Sequence, residues 1–556
     1  MYSDKKNILQ LAALLKGHGI RQVVLCPGSR NAAIVHTLTQ VDAFTCYQAT
    51  DERSAGFLAI GLSVQSGETT AVCCTSGSAL LNLHPAVAEA FYQQIPMVVI
   101  SADRPAAWIG QMDGQTLPQP GVFGPLVKMS VNLPEIHTVE EEWFCNRLLN
   151  EALLETHHHG EGPVHINVPV SEPIYNFTVS ELPRVRMIRR EEGLDCILHG
   201  VMREKMENAG KRMVIWGQMP PEHPSCSPYI QQQEKQFLWL SEHLGNFESG
   251  GRFIGNFDAA LHAMSEDKQK EFTPDLLITC GGHIVSKQLK KLLRKYPPKI
   301  HWHISKDGKV ADLFGSLDTV VEADPYEFFR NTVFMADRPV PEYPSVWERF
   351  CRNIPQPVLP YSQIAATGKL LAALPVPSIL HLANSSTVRY AQLFPLKPGV
   401  RVCCNRGVNG IEGSLSAAAG CAAASPVLNF VCIGDLSFFY DMNALWNPHV
   451  GPNLRIMLLN NGGGGIFQTL PGIEKAESSH RYIVAEHRTS AEGWAGSCGF
   501  RYMKAEDSGS LEAALEAFTA PEETGRPILL EVFTDKDTDT ELLRKYYQNL
   551  KNHKTS

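Results

Sequence analysis

Short apolar runs that end in Gly, Ser, Asp or Asn, each followed by a stretch with helical spacing, recur along the whole chain. The first third has QVVLCPGSR, AVCCTSGS, MVVISADRP and VHINVPV, and the middle has MVIWGQM, DLLITCGGH and IHWHISKDG. The last third has ILHLANSS, VCCNRG, VLNFVCIGDLS, RIMLLNNGG and ILLEVFTD. Strands covered on both faces read as continuous apolar runs, so the pattern predicts an α/β protein with mainly parallel sheets flanked by helices. Sites in such sheets form at the carboxyl ends of the strands, where Gly, Asp, Asn and Arg cluster here. Two polar or Pro-rich stretches, PRVRMIRREEG (183–193) and RPVPEYPS (338–345), read as linkers. They predict three domains, 1–180, 181–345 and 346–556. The uncharged stretch Gly413–Gly434 is long enough to span a bilayer. Pro426 divides it, however, so it reads as a buried helix followed by a buried strand, and no membrane span is expected.

Composition narrows the picture. The 556 residues are 44% hydrophobic and 19% charged, with a net charge of −8, which excludes a disordered or fibrous chain. Phosphate-backbone binding needs a concentrated positive surface, so nucleic acid is not an expected partner. The 14 cysteines include no CxxC, and Cys73-Cys74 and Cys403-Cys404 are neighbours within strand-like runs. Their side chains point to opposite faces, which suits buried thiols rather than disulfides or a shared metal. The N-terminus MYSDKKNILQLAALLKGHGI lacks the apolar core of a signal peptide, and a cytoplasmic location is expected. His157-His158-His159 cannot all face one ion and reads as a solvated turn.

The strongest chemical signal is the pair Gly434-Asp435-Leu436-Ser437 and Asn460-Asn461-Gly462-Gly463, each directly after an apolar run. An Asp at one strand end, an Asn oxygen at the next and a nearby carbonyl supply hard ligands for a divalent cation holding a diphosphate. Glycines let the backbone approach phosphate closely. The pair resembles the binding motif of thiamine-diphosphate enzymes, with Leu436 where the general motif has Gly. Further blocks, among them LCPGSRNAAI, TDERSAGFLAIGLS, TSGSALLNLHPAVAEA, CNRGVNGIEGSLSAAAG and LLNNGGGGIFQTLPG, are similar to the menaquinone-pathway synthase branch of that superfamily. They cover most of the first and third predicted domains.

The resemblance implies a three-domain, thiamine-diphosphate-enzyme-like fold. Asp435, Asn461 and the Gly463 carbonyl would bind Mg²⁺ (or Mn²⁺), while Gly434, Leu436 and Ser437 complete the diphosphate turn. Glu52, in TDERSAG, would be the catalytic carboxylate against the aminopyrimidine, a role that suits a buried carboxyl able to share a proton. Gly410 and Ile411 fall where an apolar residue wedges the cofactor into its bent shape. Because the two halves of the cofactor site come from different subunits in this superfamily, a homodimer or a dimer of dimers is implied.

Arginines also stand at predicted strand ends: Arg30 after Ser29, Arg104, Arg389 and Arg406. Guanidinium groups bind carboxylates bidentately. The implied substrates, 2-oxoglutarate and isochorismate, bring two carboxylates each. The resemblance adds Gln115, Ser385, Lys287, Ile466 and Phe467 as substrate contacts, and Gln288 stands where a second basic residue is anticipated after Lys287. The implied reaction is decarboxylation of 2-oxoglutarate and conjugate addition of the succinyl carbanion equivalent to isochorismate. Other thiamine-dependent carboligases, which act on smaller and less charged substrates, are the nearest alternative. A non-catalytic metabolite-binding regulator is a rival from another class. A nicotinamide oxidoreductase is disfavoured because no G-x-G-x-x-G follows the first strand.

Overall fold

The structure is a computed structural model and describes residues 1–189, 200–221, 228–247, 253–465, 478–521 and 525–552. Among the described residues, eighteen strands form three six-stranded sheets, and every strand pairing within them is parallel. The first sheet holds β1 (Gln22–Leu25), β2 (Thr45–Gln48), β3 (Thr70–Cys74), β4 (Met97–Asp103), β5 (Met129–Asn132) and β6 (Pro163–Pro169), in the order β2-β1-β3-β4-β6-β5. The second holds β7 (Arg212–Trp216), β8 (Leu238–Ser241), β9 (Phe253–Ile254), β10 (Leu276–Cys280), β11 (Ile300–Ser305) and β12 (Thr319–Glu322), ordered β12-β11-β10-β7-β8-β9. The third holds β13 (Ser378–Leu382), β14 (Val400–Cys403), β15 (Leu428–Gly434), β16 (Leu454–Asn460), β17 (Arg501–Ala505) and β18 (Ile528–Phe533), ordered β14-β13-β15-β16-β18-β17. Helices connect the strands, giving the expected α/β class.

Every apolar run quoted from the sequence is a strand, and the interior strands β3, β4, β7, β13 and β16 are buried at every position. Most strands that the apolar pattern did not reveal lie at sheet edges. In β2, β12 and β17 most positions are at least partly exposed, so they lack a continuous apolar signature. The stretch Gly413–Gly434 is a helix, Ser414–Ala423, followed by strand β15. No helix among the described residues is long and apolar enough to cross a membrane, and no described cysteine is in a disulfide.

The chain gathers into two compact units. One comprises Met1–Gly193, Gly407–Pro426 and Tyr440–Gly451, with the first sheet; the other comprises Leu194–Arg406, Val427–Phe439 and Pro452–Ser556, with the second and third sheets. Within the first unit the helix Glu52–Ser66 packs on the helix Ser414–Ala423. The Asp51 side chain caps the former, accepting from the backbone N–H groups of Arg53 (2.9 Å) and Ser54 (3.3 Å). The two helices touch backbone to backbone. A Cβ on Gly61 would lie 2.0 Å from the Ala417 carbonyl oxygen, and one on Gly420 would lie 2.2 Å from that of Leu58.

Gly420→Val should therefore force the helices apart, with a loss of about 1–3 kcal/mol or more. A thermal unfolding midpoint equal to that of the unsubstituted protein would contradict this packing.

Candidate active site

In the first unit the predicted residues Ser29, Arg30, Arg104 and Gln115 gather beyond the carboxyl ends of β1 and β4. Gly28 permits this approach, since a Cβ there would lie 2.4 Å from Thr75 Cβ, in the turn after β3. Arg30 is buried; its Nη1 donates to the Val170 carbonyl (3.1 Å) and pairs with Glu172 (3.1 Å). Arg104 pairs with Asp113 at 3.0 Å and donates through Nε to Gly114 O. Ser29 is exposed, and Gln115 takes a left-handed backbone with φ 57° against the Gly77 turn.

A buried amide network underlies this edge. Gln119 accepts from Gly77 N (2.8 Å) and donates to Ala102 O and Asn167 Oδ1, while Asn167 donates to Asp103 Oδ2 (2.8 Å). The pattern of apolar runs gave no signal for Gln119 or Asn167, because their partners lie far away in sequence. Glu52 sits at the first position of its capped helix, is only partly buried in the single chain, and accepts from Asn82 Nδ2 at 3.4 Å. Gly410 and Ile411 follow a turn fixed by buried Glu89, which accepts from Gly407 N and Val408 N, both at 2.8 Å. Burial raises the Glu89 carboxyl above its ordinary range, while these two N–H groups pull it back. Ile411 is 38% exposed, unusual for a bulky apolar side chain.

In the second unit β15 pairs with β16, with Gly434 opposite Leu459. The buried Asp435 carboxylate thereby reaches the turn after β16. Its Oδ2 accepts from Gly462 N (2.9 Å) and Gly463 N (3.0 Å), and its Oδ1 accepts from Leu436 N (2.7 Å). His487 Nε2 lies 3.3 Å from the same Oδ2. Its Nδ1 accepts from Thr489 N (3.1 Å). Ser437 is also buried. Asn461 donates through Nδ2 to Asp539 Oδ2 at 3.2 Å. Ile466 and Phe467 lie outside the described residues.

The remaining predicted contacts also lie in the second unit. Ser385 adopts φ 76°, a strained value for a side chain with a Cβ, just before the helix Ser386–Ala391, and its carbonyl accepts from Arg389. Arg406 is buried, donates to Asn384 Oδ1 at 2.9 Å, and leaves its buried Nε without a hydrogen-bond partner. The strand that leads to it is held from the segments that follow β7 and β8. Asn246 exchanges hydrogen bonds with the Val402 backbone (2.6 and 2.8 Å), and Gln218 donates to Cys404 O (2.7 Å).

Lys287 is exposed at the start of the helix Lys287–Lys295, and Gln288 is turned to His262. A residue not foreseen, Lys290, lies one turn along. Burial lowers its ammonium, and the nearby charges of Arg406, Arg294 and Arg389 lower it further, against the pull of Glu242. Buried Glu242 accepts from Val285 N (2.6 Å) and Ser286 N (2.7 Å), and burial pushes its carboxyl up to about 7.

The donor set fits a diphosphate held through a hard divalent cation. A buried carboxylate with lone pairs to spare, an amide oxygen and a glycine carbonyl are oxygen ligands of the kind Mg²⁺ takes, and the orphaned Arg406 Nε fits an incoming anion. Residues 9–122 match the family described as thiamine pyrophosphate enzyme, N-terminal TPP binding domain, and residues 384–532 match its C-terminal TPP binding domain. Fold and site thus define a thiamine-pyrophosphate enzyme.

Nearly the whole chain is also similar to curated proteins named 2-succinyl-5-enolpyruvyl-6-hydroxy-3-cyclohexene-1-carboxylate synthase. That of Phocaeicola vulgatus is 64% identical over 554 residues, covering 99% of this chain and 100% of that one. Those of Bacteroides thetaiotaomicron (60%; 99% and 100% covered) and Flavobacterium psychrophilum (38%; 96% of each covered) extend the likeness. The chain belongs to this synthase family.

Glu242 generates a pH prediction. Its carboxyl is raised from an ordinary 4.5 to about 7, so between these values the folded protein holds a proton that the unfolded chain has released. The associated stability is fully present at the acid end and is lost as pH rises through about 7. Glu242→Gln should flatten this part of the thermal midpoint's pH profile, and an unchanged slope would show that Glu242 does not titrate there.

Proposed function

We propose that this protein decarboxylates 2-oxoglutarate and adds the resulting succinyl unit to isochorismate, forming 2-succinyl-5-enolpyruvyl-6-hydroxy-3-cyclohexene-1-carboxylate for menaquinone biosynthesis. The reading is supported above all by the buried Asp435 carboxylate bonded to Gly462 N and Gly463 N, which joins the two halves of a diphosphate-cation motif. Asp435, the Asn461 side-chain oxygen and the Gly463 carbonyl are the proposed ligands of Mg²⁺ or Mn²⁺. Gly434, Leu436 and Ser437 form the turn beside them, and Gly410 and Ile411 take the cofactor's central portion. Bound thiamine diphosphate supplies a carbon that can hold the electrons released with CO₂, chemistry that protein side chains lack.

The chain's own residues bind, orient and shelter. The Glu52 carboxyl holds the proton shared with the aminopyrimidine ring nitrogen, acting as the general acid–base group. Arg389, Arg406, Ser385, Ser29, Arg30, Arg104 and Gln115 are the proposed groups that bind the carboxylates of the two substrates. Lys287, Ile466 and Phe467 complete the proposed set. Guanidinium groups suit planar carboxylates because two parallel N–H bonds fix orientation as well as charge, and fixed orientation favours addition over simple protonation. A site assembled from two subunits makes a homodimer the smallest active form, working in the cytoplasm on diffusible substrates.

The direct test is mass spectrometry of mixtures containing protein, thiamine diphosphate, Mg²⁺, 2-oxoglutarate and isochorismate, with each omitted in turn. Product that requires every component supports the reading; CO₂ release without isochorismate incorporation sinks the proposed acceptor. Glu52→Gln should fold and retain the cofactor but turn over at least about a hundredfold more slowly. Mixing Glu52→Gln and Asp435→Ala proteins tests the shared site, because half of randomly exchanged dimers then hold one intact centre. Recovery of about a quarter of wild-type activity is expected, and no recovery after subunit exchange would mean that each centre lies within one chain.

A further inference from the structure

Asn461 is proposed above to offer its side-chain oxygen to the divalent cation, yet an amide has two ends of similar shape and opposite character. Which end faces the cation is settled by what holds the other. Asn461 Nδ2 lies 3.2 Å from Asp539 Oδ2, and an ionised carboxylate accepts hydrogen bonds but cannot donate them. Asp539 itself is fixed from two further sides. Its Oδ1 accepts from Gln363 N at 2.8 Å, and its Oδ2 also accepts from the Thr534 hydroxyl at 2.8 Å. The side chain is 2% exposed and stands in the first turn of the helix Lys536–Asn552, where the helix dipole favours a negative charge. Three donors converge on this carboxylate from the helix start after Ser362, the end of β18 and the end of β16.

We propose that Asp539 is a positioning residue for the metal centre: it holds the Asn461 amide with nitrogen inward, so that only the amide oxygen is presented to the cation. The proposal rests on the thiamine-diphosphate reading. It follows the general rule that partners behind a metal ligand orient it and tune its affinity.

Asp539→Asn probes this with almost no change of shape. The Gln363 backbone N–H cannot turn round, so the new amide must keep its oxygen there and direct its NH₂ toward Thr534 and Asn461. The Thr534 hydroxyl can rotate to accept. Asn461 can accept only by flipping, which turns its own NH₂ toward the cation. A second substitution repairs the defect: in the double variant Asp539→Asn/Asn461→Asp, the carboxylate accepts from the new amide through one oxygen and offers the other to the cation. The exchange conserves net charge.

Calorimetric titration of the full-length protein with thiamine diphosphate at a series of Mg²⁺ concentrations reads the effect without reference to turnover. Asp539→Asn should raise the half-saturating Mg²⁺ concentration about 10- to 100-fold, and the double variant should bring it back to within a few-fold of wild type. An unchanged Mg²⁺ requirement in Asp539→Asn overturns the proposal, as does a folded double variant that binds no better than the single one. Should Asp539→Asn fail to fold, the double variant decides alone by the same criterion. A wild-type protein with no Mg²⁺-dependent binding of thiamine diphosphate would instead remove the functional reading beneath.

Discussion

Parallel pairing is the constraint from which the rest of this structure follows. Each parallel strand must be reached by a crossover that returns over a face of the sheet, so both faces acquire helices and the strands between them are buried. Polar side chains then have one place to meet solvent or ligand, the edge where strands end. Register makes that edge specific. Because Gly434 pairs with Leu459, the residue after β15 lies beside the end of β16, and Asp435 reaches Gly462 N and Gly463 N. A slip of one residue would turn each inward side chain to the other face and carry the carboxylate away from those donors.

The same constraint explains what the sequence made legible. Interior strands such as VVLC and RIMLL are apolar throughout because both faces are covered, and the Gly-Asp and Asn-Gly dipeptides mark their ends. Edge strands were harder to see: Thr45–Gln48 and Thr319–Glu322 are partly exposed along their length and form no continuous apolar run. Asp435 and Asn461 were legible because each stands at the end of a visible strand. Gln119, Asn167, Glu89 and Asp539 were not. Each is a buried polar residue whose meaning lies in its partners, and Asp539 meets Gln363 across 176 positions. Local pattern carries no trace of such a bond.

Electrostatics separates this chain from a plain α/β scaffold. The protein carries a net charge of −8, yet Arg389, Arg406 and Lys290 share one region of the second unit, where burial lowers the Arg389 guanidinium and the Lys290 ammonium and the charge of Arg406 lowers both further. Like charges held together in a partly desolvated place cost energy, because the effective dielectric there is on the order of 20 rather than 80. Glu242 offsets part of that cost, but its carboxylate is committed to Val285 N and Ser286 N. In the proposed reading an incoming dicarboxylate would relieve the remainder. Binding of that kind would recover a cost that the folded chain carries without it, which is the differential interaction that selectivity requires.

The division of labour along the sequence follows. Glu52, Asp435 and Asn461, proposed for the chemistry common to thiamine-diphosphate enzymes, lie within the spans that match the two general binding domains, 9–122 and 384–532. Glu242 and Lys290 lie between those spans, as do Gln218 and Asn246. The last two hold β14, the edge strand that leads to Arg406, and Asn246 bonds Val402 as a neighbouring strand would, using one side-chain amide for both donor and acceptor. An edge strand left bare would be free to fray or to pair with another chain. The middle of the chain, where the general domains do not match, therefore fixes the backbone that leads to Arg406, the proposed substrate arginine, and supplies the charges around it. On the proposed reading, changes confined to that middle segment would alter which anion is accepted while leaving the diphosphate turn untouched.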